Sequence, residues 1–289
     1  MYEDYKRGNA SGCRAMKRDC ETGSEIMKHV KEFATESLDI YATDRELSSD
    51  SLEKSGYIKQ VLEENKIAYR TENTPYKDEN IIVPFKGKSN DELIICCHHD
   101  RMPATPGADD PYSATAVLLE LAKELKKWQY TKPRKFRKNI KLISFGAEEN
   151  VSLLSKRTGC LGSAYYAKNN DLSDVEYVVF LDILGREKQL ATVVKDGFGE
   201  NSSELNALLS EAGEEVGVNI GKTNIPQSYG DYINFKQSAK TAWLTRMDQG
   251  NYTWKIYHSE KDKADTINPS YLEEAKRVMV EFIERYLDD

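Results

Sequence analysis

The sequence predicts an α/β fold with three α/β/α layers, in which helices cover both faces of a mixed, mostly parallel central sheet. Two observations predict it. Short apolar runs typical of buried strands alternate along the chain with amphipathic helical patterns. The chain has 289 residues, 39% hydrophobic and 31% charged, a balance typical of a soluble globular domain.

The N-terminal part divides into a tail and two helices. Residues 1–23 are polar and aperiodic and are expected to form a tail, and a single domain is predicted over residues 24–289. Apolar residues recur at helical spacing over residues 24–33. A second helix is predicted over residues 51–65, and its N-cap is expected from one of three polar residues: Ser49, Asp50 or Ser51.

The rest of the chain alternates between strands and helices. Strand-like runs occupy residues 67–72, 80–87, 92–99, 139–149, 175–185 and 241–247. Helical patterns occupy residues 114–125, 161–168, 200–216 and 269–287. Because the first two or three strands follow one another closely, we expect an antiparallel edge next to a parallel centre.

The charge balance and the cysteines exclude some classes of protein. With 41 Lys and Arg against 48 Asp and Glu, the net charge is −7, which argues against nucleic-acid binding. No apolar run reaches the roughly 18 residues of a membrane span. The N-terminus also lacks the apolar segment of a signal peptide, so a cytoplasmic location is expected, or secretion if the chain is a processed form.

The adjacent Cys96 and Cys97 point to opposite faces of a strand and are not expected to pair with each other, whereas Cys13 and Cys20 could form a disulfide. The oligomeric state stays open.

Polar residues suited to metal binding collect at one edge of the predicted sheet. They follow the ends of strands or open the next helix, and ligands of open α/β sheets gather at the carboxyl ends of the strands. In chain order they are His98, Asp100, Asp110, Glu148, Glu149, Asp182 and His258.

Each of these residues alone also has a structural explanation. Asp110 before Pro111 resembles an ordinary helix start, for example, and His98 could be a hydrogen-bonded core histidine. The presence of all seven residues at one edge of the predicted sheet favours a metal site. We expect packing roles for His29, in the N-terminal helix, and for His99, which faces the other side of the strand from His98. Asp109 is also expected to lie outside the ligand set.

The donor set fits two metal ions. Zinc binds histidine nitrogen and carboxylate oxygen, and a carboxylate with two oxygens can bridge two ions. Asp110 is the best placed bridge because it lies between the others in the loop. His98 and Asp182 would complete one ion, and Glu149 and His258 the other. Cobalt or manganese could replace zinc at such ligands.

Two carboxylates remain beside the ligands. Asp100, two residues from His98 in an extended chain, is expected to accept the second imidazole N–H. Glu148 is then the candidate general base.

These motifs resemble those of the M28 metallopeptidases, the di-zinc aminopeptidase family. The matching segments are His98-His99-Asp100, Pro106–Asp110, Gly146–Glu149, Leu181–Gly185 and Tyr257–Ser259. The resemblance covers about residues 24–287. It implies a phosphorylase/hydrolase-like fold of the zinc-exopeptidase type, and an aminopeptidase that hydrolyses peptide or aminoacyl substrates through metal-activated water with Glu148 as base.

The resemblance also implies a cis Asp110–Pro111 bond. The short gaps between the ligands leave no room for the inserted domains of the related M20 and M42 peptidases.

The chain departs from the family pattern in three places. An insertion occupies residues 150–163, Gly230-Asp231-Tyr232 replaces the usual Ser-Asp-His, and the segment after His258 is longer. The oxyanion-stabilising residue is open among Tyr229, Tyr252 and Tyr257. Three alternatives to the aminopeptidase remain: a glutaminyl-cyclase-like transferase with one zinc, a non-catalytic binding domain, and a metal hydrolase acting on a non-peptide amide.

Overall fold

A computed structural model describes residues 23, 25–34, 44–149, 159–247 and 256–289. Within these residues nine strands form one sheet. In chain order they are β1 (Arg70–Asn73), β2 (Glu79–Phe85), β3 (Glu92–His98), β4 (Asn139–Phe145), β5 (Val175–Leu181), β6 (Gln189–Asp196), β7 (Gly199–Glu200), β8 (Gly221–Ile225) and β9 (Lys240–Met247). Their order across the sheet is β1-β2-β4-β3-β5-β9-β6-β7, with β8 also paired to β6.

The sheet is mixed, as predicted. The central strands β4, β3, β5 and β9 run parallel to one another. At one edge β1 and β2 pair antiparallel, and β2 pairs antiparallel with β4, which confirms the expected antiparallel edge. At the other edge β6 runs antiparallel to β9. The parallel part is therefore the centre of the sheet, where the carboxyl ends of neighbouring strands meet.

Helices cover both faces of the sheet. They are α1 (25–33), α2 (Asp44–Glu64), α3 (Tyr112–Thr131), α4 (Leu161–Asn169), α5 (Ser203–Glu215) and α6 (Pro269–Asp288). One apolar core contains Cys97 and residues of all these helices except α4, and a second core on the opposite face contains Cys96 and residues of α4. Alternate residues of β3 thus enter different cores, because successive side chains of a strand point to opposite faces. The three-layer prediction is confirmed.

Two parts of the predicted element map were wrong. Helix α2 begins at Asp44, so Ser49, Asp50 and Ser51 lie inside it and not at its N-cap. Residues 44–50 include a single apolar residue, Leu47, and so carry no helical periodicity. Strands β6, β7 and β8 were also missed. The last two carry little signal, because β7 has two residues and β8, with the sequence GKTNI, is mostly polar, whereas β6 has eight residues with the sequence QLATVVKD.

Apart from Gly23, the predicted tail of residues 1–23 lies outside the described residues, together with Cys13 and Cys20. Among the described helices, none combines the length and the apolar character needed to cross a membrane.

Candidate metal centre

The parallel strands bring three of the predicted loops side by side. β3 ends at His98, which pairs in register with Phe145 at the end of β4. On its other side β3 pairs with β5, which leads directly into Asp182. The loop after β4 carries Glu148 and Glu149. The predicted collection of polar residues at one sheet edge therefore exists.

Asp110 lies between the two histidines. Nε2 of His98 lies 3.2 Å from Oδ1 of Asp110, and Nε2 of His258 lies 3.0 Å from Oδ2 of the same carboxylate. Each imidazole also faces a second acid, since His98 Nε2 is 3.7 Å from Asp182 Oδ1 and His258 Nε2 is 3.1 Å from Glu149 Oε1. The Asp110–Pro111 peptide bond is cis, which confirms that prediction.

The spacing of these atoms suits divalent cations. The ligand atoms of His98, Asp110 and Asp182 lie within 4.8 Å of one another, as do those of Asp110, Glu149 and His258. Donors around one tetrahedral zinc, with bonds of about 2.1 Å, stand about 3.4 Å apart. The imidazole–carboxylate distances of 3.0–3.7 Å bracket that value. Oδ1 of Asp182 is buried and has no hydrogen-bond partner among the described residues.

The protonation of these groups reflects their crowding. Burial, followed by the charge of Asp110, raises the pKa of Asp182 to about 7. Burial alone would lower the pKa of His258, but the carboxylates of Glu149 and Asp110 raise it to about 11. A divalent cation favours ionised carboxylates and a neutral imidazole, so a bound cation would lower both of these pKa values.

Asp100 contacts different groups from those predicted. Nδ1 of His98 lies 3.0 Å from the backbone carbonyl oxygen of Asp100 and 3.7 Å from its carboxylate. The carboxylate instead accepts the backbone N–H groups of Glu148 and Glu149, both at 2.9 Å. The backbone of Asp100 therefore orients the His98 imidazole, and the side chain of Asp100 holds the neighbouring loop.

Side-chain oxygens hold the whole Gly146–Glu149 loop. The N–H of Gly146 donates to Oδ1 of Asn80 at 3.3 Å, and the N–H of Ala147 donates to Oδ2 of Asp78 at 3.0 Å. Asp100 accepts the next two N–H groups. Four consecutive backbone donors thus end on three buried side chains, which fixes the loop that carries the candidate base and a candidate ligand.

Glu148 belongs to neither of the two ligand groups that share Asp110. Its carboxylate nevertheless lies within 4.8 Å of ligand atoms of His98, from one group, and of Glu149, from the other. Sγ of Cys160 lies 3.4 Å from Glu148 Oε1. Burial raises the pKa of Glu148 well above its usual range. A carboxylate so placed can take up a proton next to the candidate metal positions.

Asp262 is a site residue that the sequence reasoning missed. Its Oδ1 accepts the N–H of Asp109 at 2.8 Å and its Oδ2 accepts the N–H of Asp110 at 3.1 Å. Arg186 donates to Oδ1 at 2.6 Å. Asp109, expected to lie outside the ligand set, accepts the N–H of Gly185 at 2.7 Å. Both acids therefore hold the backbone around the candidate bridge, and no periodic pattern in the polar segment after His258 marked Asp262.

The remaining histidines make structural contacts. Nδ1 of His99 lies 2.9 Å from Oγ of Ser144, and the ring is fully buried. Nδ1 of His29 lies 2.8 Å from the hydroxyl of Tyr57. Neither ring belongs to the ligand groups described above, in agreement with the expected packing roles.

The candidates for stabilising an oxyanion differ in what surrounds them. The ring of Tyr257 stacks on that of His258, with centroids 3.7 Å apart. Burial, followed by the charges of Cys160 and Glu148, raises the pKa of Tyr229. Tyr252 lies outside the described residues, as do residues 150–158 of the insertion.

Asp231, in the segment that departs from the family pattern, is fully buried. It accepts a hydrogen bond from Oγ of Ser163 at 2.5 Å. Burial raises the pKa of Asp231 to about 8. Oγ of Ser163 also lies 3.0 Å from the carbonyl oxygen of Cys160, the residue in contact with Glu148.

Comparison with known proteins identifies the family to which this chain belongs. A family model described as peptidase family M28 matches residues 80–283. The aminopeptidase YwaD of Bacillus subtilis is 26% identical over 220 residues, which cover 70% of this chain and 43% of that protein. The chain spans about half or less of the length of the curated relatives it matches.

Solved structures show the same fold. A zinc aminopeptidase from Bacillus subtilis superposes with a TM-score of 0.61 at 25% identity, over 72% of this chain and 50% of that one. A glutaminyl cyclase from Porphyromonas gingivalis superposes with a TM-score of 0.72 at 14% identity, over 91% of this chain and 98% of that one. At that identity the second likeness concerns the fold alone.

Proposed function

Because the chain belongs to peptidase family M28, we propose that it is a zinc-dependent aminopeptidase that removes N-terminal residues from peptides. The observation that carries the proposal is the placement of Asp110 between His98 and His258, with one carboxylate oxygen facing each imidazole. The aminopeptidase relative and the zinc aminopeptidase structure support the same choice.

The chain's own residues divide into ligands and a base. His98, Asp110 and Asp182 would hold one zinc, and the second would be held by Asp110 together with Glu149 and His258. Bound zinc supplies Lewis-acid activation of water and of the scissile carbonyl. The two ligand groups share Asp110, which would keep the ions close together.

Glu148 is the proposed general base. Its carboxylate accepts a proton from the attacking water and passes it to the leaving amine. Nearby cations favour the ionised carboxylate, which is the form that a base requires. The three side chains that bind the Gly146–Glu149 backbone hold the loop that carries this carboxylate.

A glutaminyl-cyclase-like transferase is the second candidate. It is favoured by the fold shared with the Porphyromonas enzyme, which this chain covers almost entirely. The presence of donors for two ions argues for the aminopeptidase, since a cyclase of this kind is expected to use one.

One assay separates the two candidates. The protein, either zinc-loaded or chelator-treated, is mixed with a panel of aminoacyl chromogenic amides and with a peptide that begins with glutamine. We expect zinc-dependent release of N-terminal residues and two zinc ions per chain. Cyclisation of the glutaminyl peptide without hydrolysis of the amides would refute the aminopeptidase and favour the transferase.

Replacing the base tests its role separately from metal binding. Glu148→Gln keeps the size of the side chain but cannot take up a proton, so kcat should fall by about 10²- to 10⁴-fold with zinc content unchanged. Glu149→Gln should instead lower the zinc content. Glu260→Gln, at an exposed acid two residues from His258, is the matched control and should behave as wild type. Substantial turnover by Glu148→Gln, or loss of its zinc, would remove Glu148 as the base.

A further inference from the structure

Helix α2 reaches the candidate active site although it lies outside residues 80–283, the part that matches the family model. Oγ of Ser51, on this helix, donates to Oδ2 of Asp78 at 2.8 Å. The same oxygen accepts the backbone N–H of Ala147 at 3.0 Å. Both Ser51 and Asp78 are buried. A two-step chain of hydrogen bonds therefore joins α2 to the residue that precedes Glu148.

The backbone at this contact adopts a conformation that needs support. Ala147 has φ of 54°, in the left-handed region that residues other than glycine seldom adopt. The preceding residue, Gly146, lies so close that a Cβ on it would stand 2.4 Å from Cγ of Asp78. The Asp78 carboxylate thus lies directly against the turn that aims the next two side chains.

Asp78 is itself held firmly. Its Oδ1 accepts the backbone N–H of Glu79 at 2.8 Å, while Oδ2 takes Ser51 and Ala147. Nε2 of the buried His99 lies 3.5 Å from Oδ1. The carboxylate therefore has little freedom to turn away from the loop, and the hydroxyl of Ser51 is the part of this arrangement that comes from α2.

We infer that Ser51 and Asp78 are positioning residues that act through Ala147 on the directions of Glu148 and Glu149. Loss of the Ser51 hydroxyl removes one of the two hydrogen bonds to Oδ2 of Asp78. With that oxygen less constrained, the Ala147 turn relaxes and both carboxylates shift. The catalytic part of this inference rests on the proposed aminopeptidase function. The metal-binding part does not, because Glu149 can be followed through zinc affinity alone.

The chain offers a matched control one helical turn away. Ser55 is also buried on α2, and its Oγ donates to Oε1 of Glu79 at 2.6 Å. The Glu79 carboxylate takes its other hydrogen bond from Lys59, which also lies on α2. Ser51 and Ser55 thus make the same kind of bond to adjacent acids, but only the acid bound by Ser51 accepts the N–H of Ala147.

The experiment compares Ser51→Ala with Ser55→Ala in the full chain. Zinc affinity is measured by competition with a chelator, kcat and KM with an aminoacyl amide, and stability by urea unfolding. Loss of a group that orients metal ligands typically lowers metal affinity or activity by about 10- to 100-fold. We expect such a loss in zinc affinity and in kcat for Ser51→Ala, with KM changed by less than about twofold, and neither loss for Ser55→Ala.

The unfolding midpoints distinguish positioning from general damage. Both variants lose one buried hydrogen bond, so their midpoints should fall by similar amounts. Asp78→Asn and Glu79→Gln form a second pair with the same expected contrast, and serve if Ser51→Ala fails to fold. Asn at position 78 keeps the volume but turns an N–H₂ group toward one of the donors.

Three outcomes decide the matter. Equal effects of Ser51→Ala and Ser55→Ala on zinc affinity and kcat would overturn the inference. Loss confined to Ser51→Ala supports it. A wild-type protein that binds zinc but hydrolyses no aminoacyl amide would refute the proposed function, and a zinc affinity lowered only in Ser51→Ala would still support positioning by α2.

Discussion

Replacement of Asp262 by alanine should destabilise the protein and loosen the candidate bridge. The side chain, 1% exposed, accepts the N–H groups of Asp109 and Asp110 and pairs with Arg186. Alanine would leave two buried N–H donors and a mostly buried guanidinium without this acceptor. The loop that carries Asp110 would then lose two hydrogen bonds to the segment after His258, while the N–H of Ala108 would still donate to the backbone carbonyl oxygen of residue 262.

The expected magnitude follows from these contacts. A hydrogen bond to a charged group contributes about 1.5–3 kcal/mol, but such contributions do not simply add. Burial raises the pKa of Asp262 to about 6, although Arg186 opposes the rise, so desolvation of the carboxylate offsets part of the gain. Breaking one partner of a buried pair generally costs about 3–5 kcal/mol. We therefore expect Asp262→Ala to lower the free energy of unfolding by about 3–5 kcal/mol.

Urea unfolding of the zinc-free protein measures this effect without contributions from metal binding. Asp265→Ala is the matched control, because Asp265 is exposed three residues later and should change the free energy of unfolding by less than about 0.5 kcal/mol. Chelator competition should also show zinc affinity lowered about 10- to 100-fold in Asp262→Ala. A loss of stability below about 1 kcal/mol, with zinc affinity intact, would refute the reasoning.

Two further predictions concern packing and pH. Gly162→Ala should lower the free energy of unfolding by about 1–3 kcal/mol, because the new Cβ would lie 2.1 Å from the carbonyl oxygen of Gly146. Gly56→Ala, in open space on α2, should instead raise it by about 0.5–1 kcal/mol, and a stabilising Gly162→Ala would contradict the close approach. Burial raises the pKa of Asp231 from 3.8 to about 8 in the zinc-free protein. Between these two pH values the folded state retains a proton that the unfolded state releases, so the free energy of unfolding falls as the pH rises from about 4 to about 8. Asp231→Asn cannot ionise, so its urea midpoint relative to wild type should be higher at pH 8.5 than at pH 5.5, and an equal difference at both values would contradict the shift.

Much of the candidate site could be predicted because its donors follow strand ends. His98, the Glu148–Glu149 pair and Asp182 end parallel neighbours, and parallel strands place such residues at one edge of a sheet. The cis bond after Asp110 came from the family resemblance and is present. The assignment of roles to these residues stays a prediction, as do the boundaries of the catalytic domain.

The contacts of the acids around the site could not be predicted. Asp100 binds the backbone of the Gly146–Glu149 loop with its carboxylate, whereas the sequence predicted a bond to His98. Ser51, expected as a helix cap, lies within α2 and binds Asp78. In each case the type and spacing of the residue suited a nearby partner, and the folded chain supplied a distant one.

By itself the sequence determined the α/β layers and the edge of the sheet where the donors meet. These follow from periodicity and from what ends each strand, which are local properties of the chain. Only the tertiary structure decided which acids hold the backbone: Asp262 accepts an N–H group 153 residues away, and Asp100 one 49 residues away. Buried N–H groups must find acceptors, and which acceptor is within reach is settled only when the sheet and its loops close around them.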